Sequence, residues 1–109
     1  PDTYVQALQK CGKKGGSRYQ QLSEKLLICA MIEARSCERF RSLWKGLNDE
    51  ELSEFYYELM VSEAGHYKMF IRLAKKFMPD DYVEKRWEEI RKDEAEIIQD
   101  LPARGQKIH

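Results

Sequence analysis

Apolar residues recur along this chain in alternating steps of four and three, and three such seams predict three long helices. The first seam runs Leu26, Ala30, Glu33, Cys37, Phe40, Trp44. The second runs Leu52, Tyr56, Leu59, Glu63, His66, Phe70, Leu73, Phe77, and the third Val83, Trp87, Ile90, Glu94, Ile97, Leu101. Start and stop signals place the helices at 17–45, 49–78 and 81–99. Ser17 with Gln20 makes a reciprocal capping box, and Gly46 is the expected stop of the first helix. Asn48 with Glu51 opens the second helix, and Pro79 and Pro102 follow the second and third. Residues 1–16 read as a loop or short helix, "DTYVQALQK", running into a basic, Gly-rich "CGKKGGS". The expected fold is all-α, a single domain over 1–109.

Two seams are interrupted by polar residues at matching depth. The connection between the first two helices is short, which makes them antiparallel neighbours. Glu33 lies 14 residues before Leu47 in that turn, and Glu63 lies 16 after it. At 1.5 Å per residue these positions are roughly 21 and 24 Å from the turn, so the two carboxylates sit nearly level on facing seams. His66, three residues beyond Glu63, shares its face. Glu94 on the third seam has no level partner in this reading and is taken as the edge of an amphipathic face.

Composition narrows the function classes. Of 109 residues, 42% are hydrophobic and 35% charged, the profile of a helix-rich globular protein and not of a disordered one. No apolar run approaches the ~20 residues of a membrane span, and no signal-peptide pattern opens the chain. Zero formal net charge removes any global electrostatic case for nucleic acid, so such a partner would be met by local patches. Cys11, Cys29 and Cys37 lack zinc-like spacing and read as reduced thiols of a cytoplasmic protein. The chain opens on Pro1 without an initiator methionine, so a trimmed product or a fragment is expected.

Facing carboxylates in a packed seam are unfavourable by several kcal/mol per ion unless something compensates them. A shared proton, an inserted cationic side chain or a metal would serve. Arg35 and Arg39 lie about 200° and 240° around the helix from Glu33, and Arg72 about half a turn from Glu63, so no basic residue occupies either seam here. A metal uses all three groups: two carboxylates and an imidazole suit iron, manganese or zinc. Glu plus Glu-x-x-His is also half of the ligand set of di-iron carboxylate bundles. His109 is the only other histidine, so the second set is expected from a missing amino-terminal half or from a second copy.

The segments "KLLICAMIEARSCERF" (25–40) and "FYYELMVSEAGHYKMFIRLA" (55–74) resemble the MiaE family of tRNA hydroxylases. "IEARSCERF" is the specific block, "SEAGHY" corresponds to the family's SEA-x-H block, and weaker similarity runs from Ser17 to about Met78. The resemblance implies a ferritin-like four-helix bundle with a non-haem di-iron centre, to which this chain supplies the carboxy-terminal half. It implies hydroxylation, with molecular oxygen, of the isopentenyl group of a hypermodified adenosine next to the tRNA anticodon. Glu33 would then be a carboxylate ligand, Glu63 would bridge two irons, and His66 would be a terminal nitrogen ligand. An external electron donor is implied as well. The family's amino-terminal helix pair is absent, so this chain alone is expected to be inactive.

Phe40, Leu59 and Phe70 flank the ligands as candidate lining. Lys13, Lys14 and Arg18, or Arg35 and Arg39, are candidate phosphate contacts. Two other readings fit the residues: another ferritin-like activity, such as iron oxidation or peroxide reduction, and a metal-free helical interaction module.

Overall fold

The computed structural model describes residues 2–108, with side chains from Thr3 to Asp100. It is all-α: α1 (Asp2–Gln9), α2 (Arg18–Gly46), α3 (Glu50–Phe77) and α4 (Asp80–Ile108), with no strand among the described residues. Residues 1–16 thus contain a short helix, and Leu8 in it is fully buried.

The termini differ in detail from the expected signals. Ser17 caps α2 by accepting from the Gln20 backbone N–H at 3.1 Å. The return half of the box is not made, because the Gln20 side chain donates instead to the Tyr82 hydroxyl. Gly46 is the last helical residue, not a left-handed stop; α2 ends at Leu47, whose extended backbone departs from the helix. The α3 cap is Asp49, one residue after Asn48, and its carboxylate accepts from the Leu52 N–H. Met78 is extended, the conformation favoured before proline, and closes α3. The helical assignment of α4 continues through Pro102 to Ile108, past the expected end near Gln99. A proline forfeits one helical hydrogen bond and marks a boundary only as a tendency. Leu101 and His109 lie outside the described side chains.

α2 and α3 form the antiparallel hairpin that the seams require. Tyr19, near the start of α2, stacks on Phe77 at the end of α3, while Phe40 stacks on Tyr56 and Trp44 packs on Tyr57 near the turn, as antiparallel neighbours require. The Cys37 thiol donates to the Met60 carbonyl and the Ser53 hydroxyl to that of Trp44, which pins the register.

The buried core sits at one end of this hairpin. Leu8, Leu27, Ile28, Met31, Ala74, Val83 and Ile90 meet where α1 and the first half of α4 pack against the start of α2 and the end of α3. Within this end lies an ion pair that the seams did not disclose. The Arg86 guanidinium donates to both Glu24 oxygens, at 2.9 and 2.7 Å, and both side chains are almost wholly buried. Glu24 also accepts from the Lys13 backbone N–H and the Tyr82 hydroxyl, while Arg86 donates to the Cys11 carbonyl and to Glu89. Every strong polar group of the pair is satisfied, the condition under which buried charge is tolerable.

Toward the α2–α3 turn the molecule thins. Its extents are 49 × 32 × 18 Å, and the smallest is less than two helix diameters. The only fully buried residue of α3 is Ala74, near its carboxy-terminal end. The seams expected to be core are therefore only half covered. Leu22, Leu43, Leu52, Phe55, Met69 and Phe77 remain 37–51% exposed. By the 3.6-residue period all six lie on the side of the hairpin that carries the Glu33–Glu63 edge of the seams.

Candidate metal centre

Helical spacing and hairpin register together decide what meets at this level. Glu33 and Glu63 face each other across α2 and α3, and His66 follows Glu63 by one turn. One ligand atom from each lies within 4.8 Å of the others. His66 Nδ1 is 3.4 Å from Glu63 Oε1 and 4.0 Å from Glu33 Oε2. All three predicted site residues are thus brought together.

Their surroundings depart from the expectation of a buried seam. The side chains of Glu33 and Glu63 are 28% and 20% exposed and that of His66 is 51% exposed, so the cluster opens onto the uncovered face. Even so, Glu33 is raised to about 7. Carboxyl–carboxylate hydrogen bonding with Glu63 is the main cause, followed by burial and by the negative charge of Glu63; His66 pulls the other way. Without a cation the pair holds best by sharing one proton.

The basic residues near in sequence are directed elsewhere. Arg35 Nε and Nη2 donate to Glu94 at 2.7 and 2.8 Å, and the Tyr4 hydroxyl donates to the same carboxylate at 2.9 Å. Glu94 is 1% exposed. Two readings are corrected here. Glu94 is not the edge of an amphipathic face but a buried acceptor joining α1, α2 and α4. Arg35 is held in that pair and is not free to meet phosphate. The only signal in the sequence was the place of Glu94 on a seam between Ile90 and Ile97.

The donor set fits a divalent metal. It offers two hard oxygens and one imidazole on a shared face, with positions left open on the uncovered side. Cys37, one turn from Glu33, adds no thiolate, since burial pushes its thiol upward and it donates to the Met60 carbonyl. Phe40, Leu59 and Phe70, the candidate lining, are all half-buried.

Comparison with known proteins gives this geometry a context. The chain is 43% identical over 79 residues to the tRNA 2-(methylsulfanyl)-N(6)-isopentenyladenosine(37) hydroxylase of Pseudomonas putida, a match covering 72% of this chain and 38% of that protein. It is 48% identical over 60 residues to the protein of the same name from Salmonella typhimurium, covering 55% of this chain and 22% of the relative. The chain thus spans well under half the length of these curated relatives. No solved structure matches it. No helix is long and apolar enough to cross a membrane among the described residues. The family model described as tRNA-(MS[2]IO[6]A)-hydroxylase (MiaE) matches residues 1–109, the whole of the chain, and places it in the MiaE family.

Proposed function

We propose that this chain is the carboxy-terminal half of a cytoplasmic, oxygen-dependent tRNA hydroxylase with a di-iron centre in a ferritin-like four-helix bundle. Its substrate would be the isopentenyl group of a hypermodified adenosine next to the anticodon. The observation that carries the reading is the convergence of Glu33, Glu63 and His66 within 4.8 Å, in a member of the MiaE family. The names of the two relatives supply the substrate.

Bound iron would supply the redox chemistry that puts one atom of molecular oxygen into a C–H bond; the other leaves as water with two electrons from an external donor. The residues of this chain have simpler tasks. Glu33 and Glu63 would hold the iron through carboxylate oxygens presented from facing helices. His66 offers a neutral nitrogen. Phe40, Leu59 and Phe70 would line the approach and exclude water.

The open face gives the cluster a way to be completed. A second helix pair bearing a Glu and a Glu-x-x-His would cover the exposed Leu43, Phe55 and Met69 and close the ligand set. An amino-terminal segment of the natural polypeptide is favoured for this role over a second copy of the chain, because the family relatives are longer.

Nucleoside analysis of tRNA from cells with and without the gene tests the reaction. Loss of the hydroxylated nucleoside, with its unhydroxylated precursor accumulating, is expected. Unchanged nucleosides would reject the substrate. Elemental analysis of anaerobically reconstituted intact protein should return about two irons per bundle; no iron, or one tightly held zinc, would reject the centre.

A further inference from the structure

A groove of about 650 Å³ lies between the loop after α1 and the first half of α2. Lys13, Lys14 and Lys25 line it together with Ile28, Cys29 and Ile32. Ile32 adjoins Glu33 in sequence, and Cys29 precedes Glu33 by one helical turn on the same face. Lys25 lies on the same helix as Glu33, about 12 Å along its axis from it.

The charge of this groove is set by the buried ion pair. Its acidic lining residue is Glu24, and Glu24 is consumed by Arg86, which donates to both of its oxygens. Glu89, near Lys13, is likewise bonded to Arg86. Lys13, Lys14 and Lys25 are exposed and in no ion pair among the described residues. The result is a local excess of positive charge on a chain whose net charge is zero.

The loop is also built into place. The Lys13 backbone N–H donates to Glu24 at 2.9 Å, and the Cys11 carbonyl accepts from Arg86 at 3.2 Å. Gly15 and Gly16 both take φ of 82°, the left-handed region that favours glycine. Only glycines allow this path, which returns the chain to Ser17 and leaves the two lysines beside Lys25.

We infer that this groove is the seat of the RNA sugar–phosphate backbone, with Lys13, Lys14 and Lys25 neutralising phosphates and Ile28, Cys29 and Ile32 forming its apolar wall. The inference rests on the hydroxylase reading and adds the contact surface to it. Cationic side chains clustered without free carboxylates are what a polyanion requires. Arg35, by contrast, is spent on Glu94 and is no part of this surface.

The test is equilibrium binding of substrate tRNA to the intact natural protein across a salt series, with K13Q/K14Q/K25Q against the parent. Loss of three phosphate contacts should make the slope of log affinity against log salt shallower by about two to three. Affinity at low salt should fall at least tenfold, by the same factor for unrelated RNA sequences. Lys45→Gln and Lys92→Gln, away from the groove, should bind as the parent does. Equal slopes for parent and triple variant would overturn the inference while leaving the hydroxylase reading intact. Failure of the parent itself to bind tRNA would instead reject that reading. Loss of binding to phosphatidylserine vesicles with RNA binding unchanged would assign the groove to a membrane surface and overturn it too.

Discussion

Replacing Glu63 by alanine should remove metal binding and yet leave the metal-free protein no less stable above neutral pH. The reason lies in the Glu33 carboxyl, raised from 4.5 to about 7 chiefly by Glu63. A group whose folded value is raised stabilises the protein while it is protonated. That contribution is complete below about pH 4.5 and is lost as pH climbs toward 7, where both carboxylates must carry charge. A displacement of this size corresponds to at most about 3 kcal/mol. The cluster is open to water on one side, so about 1 kcal/mol is expected to survive screening. Glu63→Ala abolishes the main cause, and its stability relative to the parent should therefore rise by about 1 kcal/mol between pH 5 and pH 8. Urea denaturation of the intact protein in chelator at both pH values gives this difference, and groups elsewhere cancel in it. Iron titration of the same variant should show loss of the site. A variant that is destabilised equally at both pH values, or more at pH 8, would refute the reasoning. Glu63 would then be a satisfied structural residue and not one half of a crowded pair.

The other expectations concern both ends of the molecule. Arg86→Met leaves Glu24 charged and buried, and urea melts should show a cost of about 3–5 kcal/mol, much of it recovered in Glu24→Gln/Arg86→Met. Because hydrogen bonds from Arg86 and the Lys13 backbone hold Glu24 below the usual carboxylate range against the effect of burial, its contribution is present above about pH 4.5 and lost on further acidification; the parent should lose more stability below that pH than the double variant. Tyr4→Phe removes one hydrogen bond to Glu94 and should cost about 1 kcal/mol, an effect that disappears in a Glu94→Gln background if the three side chains act as a unit. His66→Ala should shift metal-free stability by no more than about 0.5 kcal/mol, since the ring is half exposed. Its iron affinity should fall well over tenfold; an undiminished affinity would remove His66 from the ligand set.

The candidate ligands were legible because each depends on short-range rules. Helical period puts Glu63 and His66 on one face, and a short turn of known position sets Glu33 level with them. Degree of burial was not legible, because a seam is inward only where something covers it, and half of this hairpin lies uncovered. The partners of Glu94 and Glu24 were hidden for a different reason. Arg35–Glu94 and Glu24–Arg86 each join α2 to α4, 59 and 62 residues apart, and depend on the angle at which α4 leaves Pro79. No periodicity in either helix encodes that angle. Terminal details slipped by one residue at Asp49 because Asn48 and Asp49 are both good caps, and only the structure shows which carboxylate or amide meets the N–H.

The one-sided core gives the α2–α3 hairpin the mechanics of a beam clamped at one end. Residues 23–31 of α2 and Ala74 of α3 are held in the clamp, and the turn at Leu47 is its free tip. Opening should therefore start at the tip and travel inward, with amide exchange fastest near Leu47 and slowest around Leu27. Glu33 and Glu63 stand where the beam leaves the clamp, between backbone that opens locally and backbone that opens only on global unfolding. A metal bound there would lengthen the clamp toward the tip, slowing exchange of the backbone around Glu33 and Glu63 while the turn at Leu47 stays free to open.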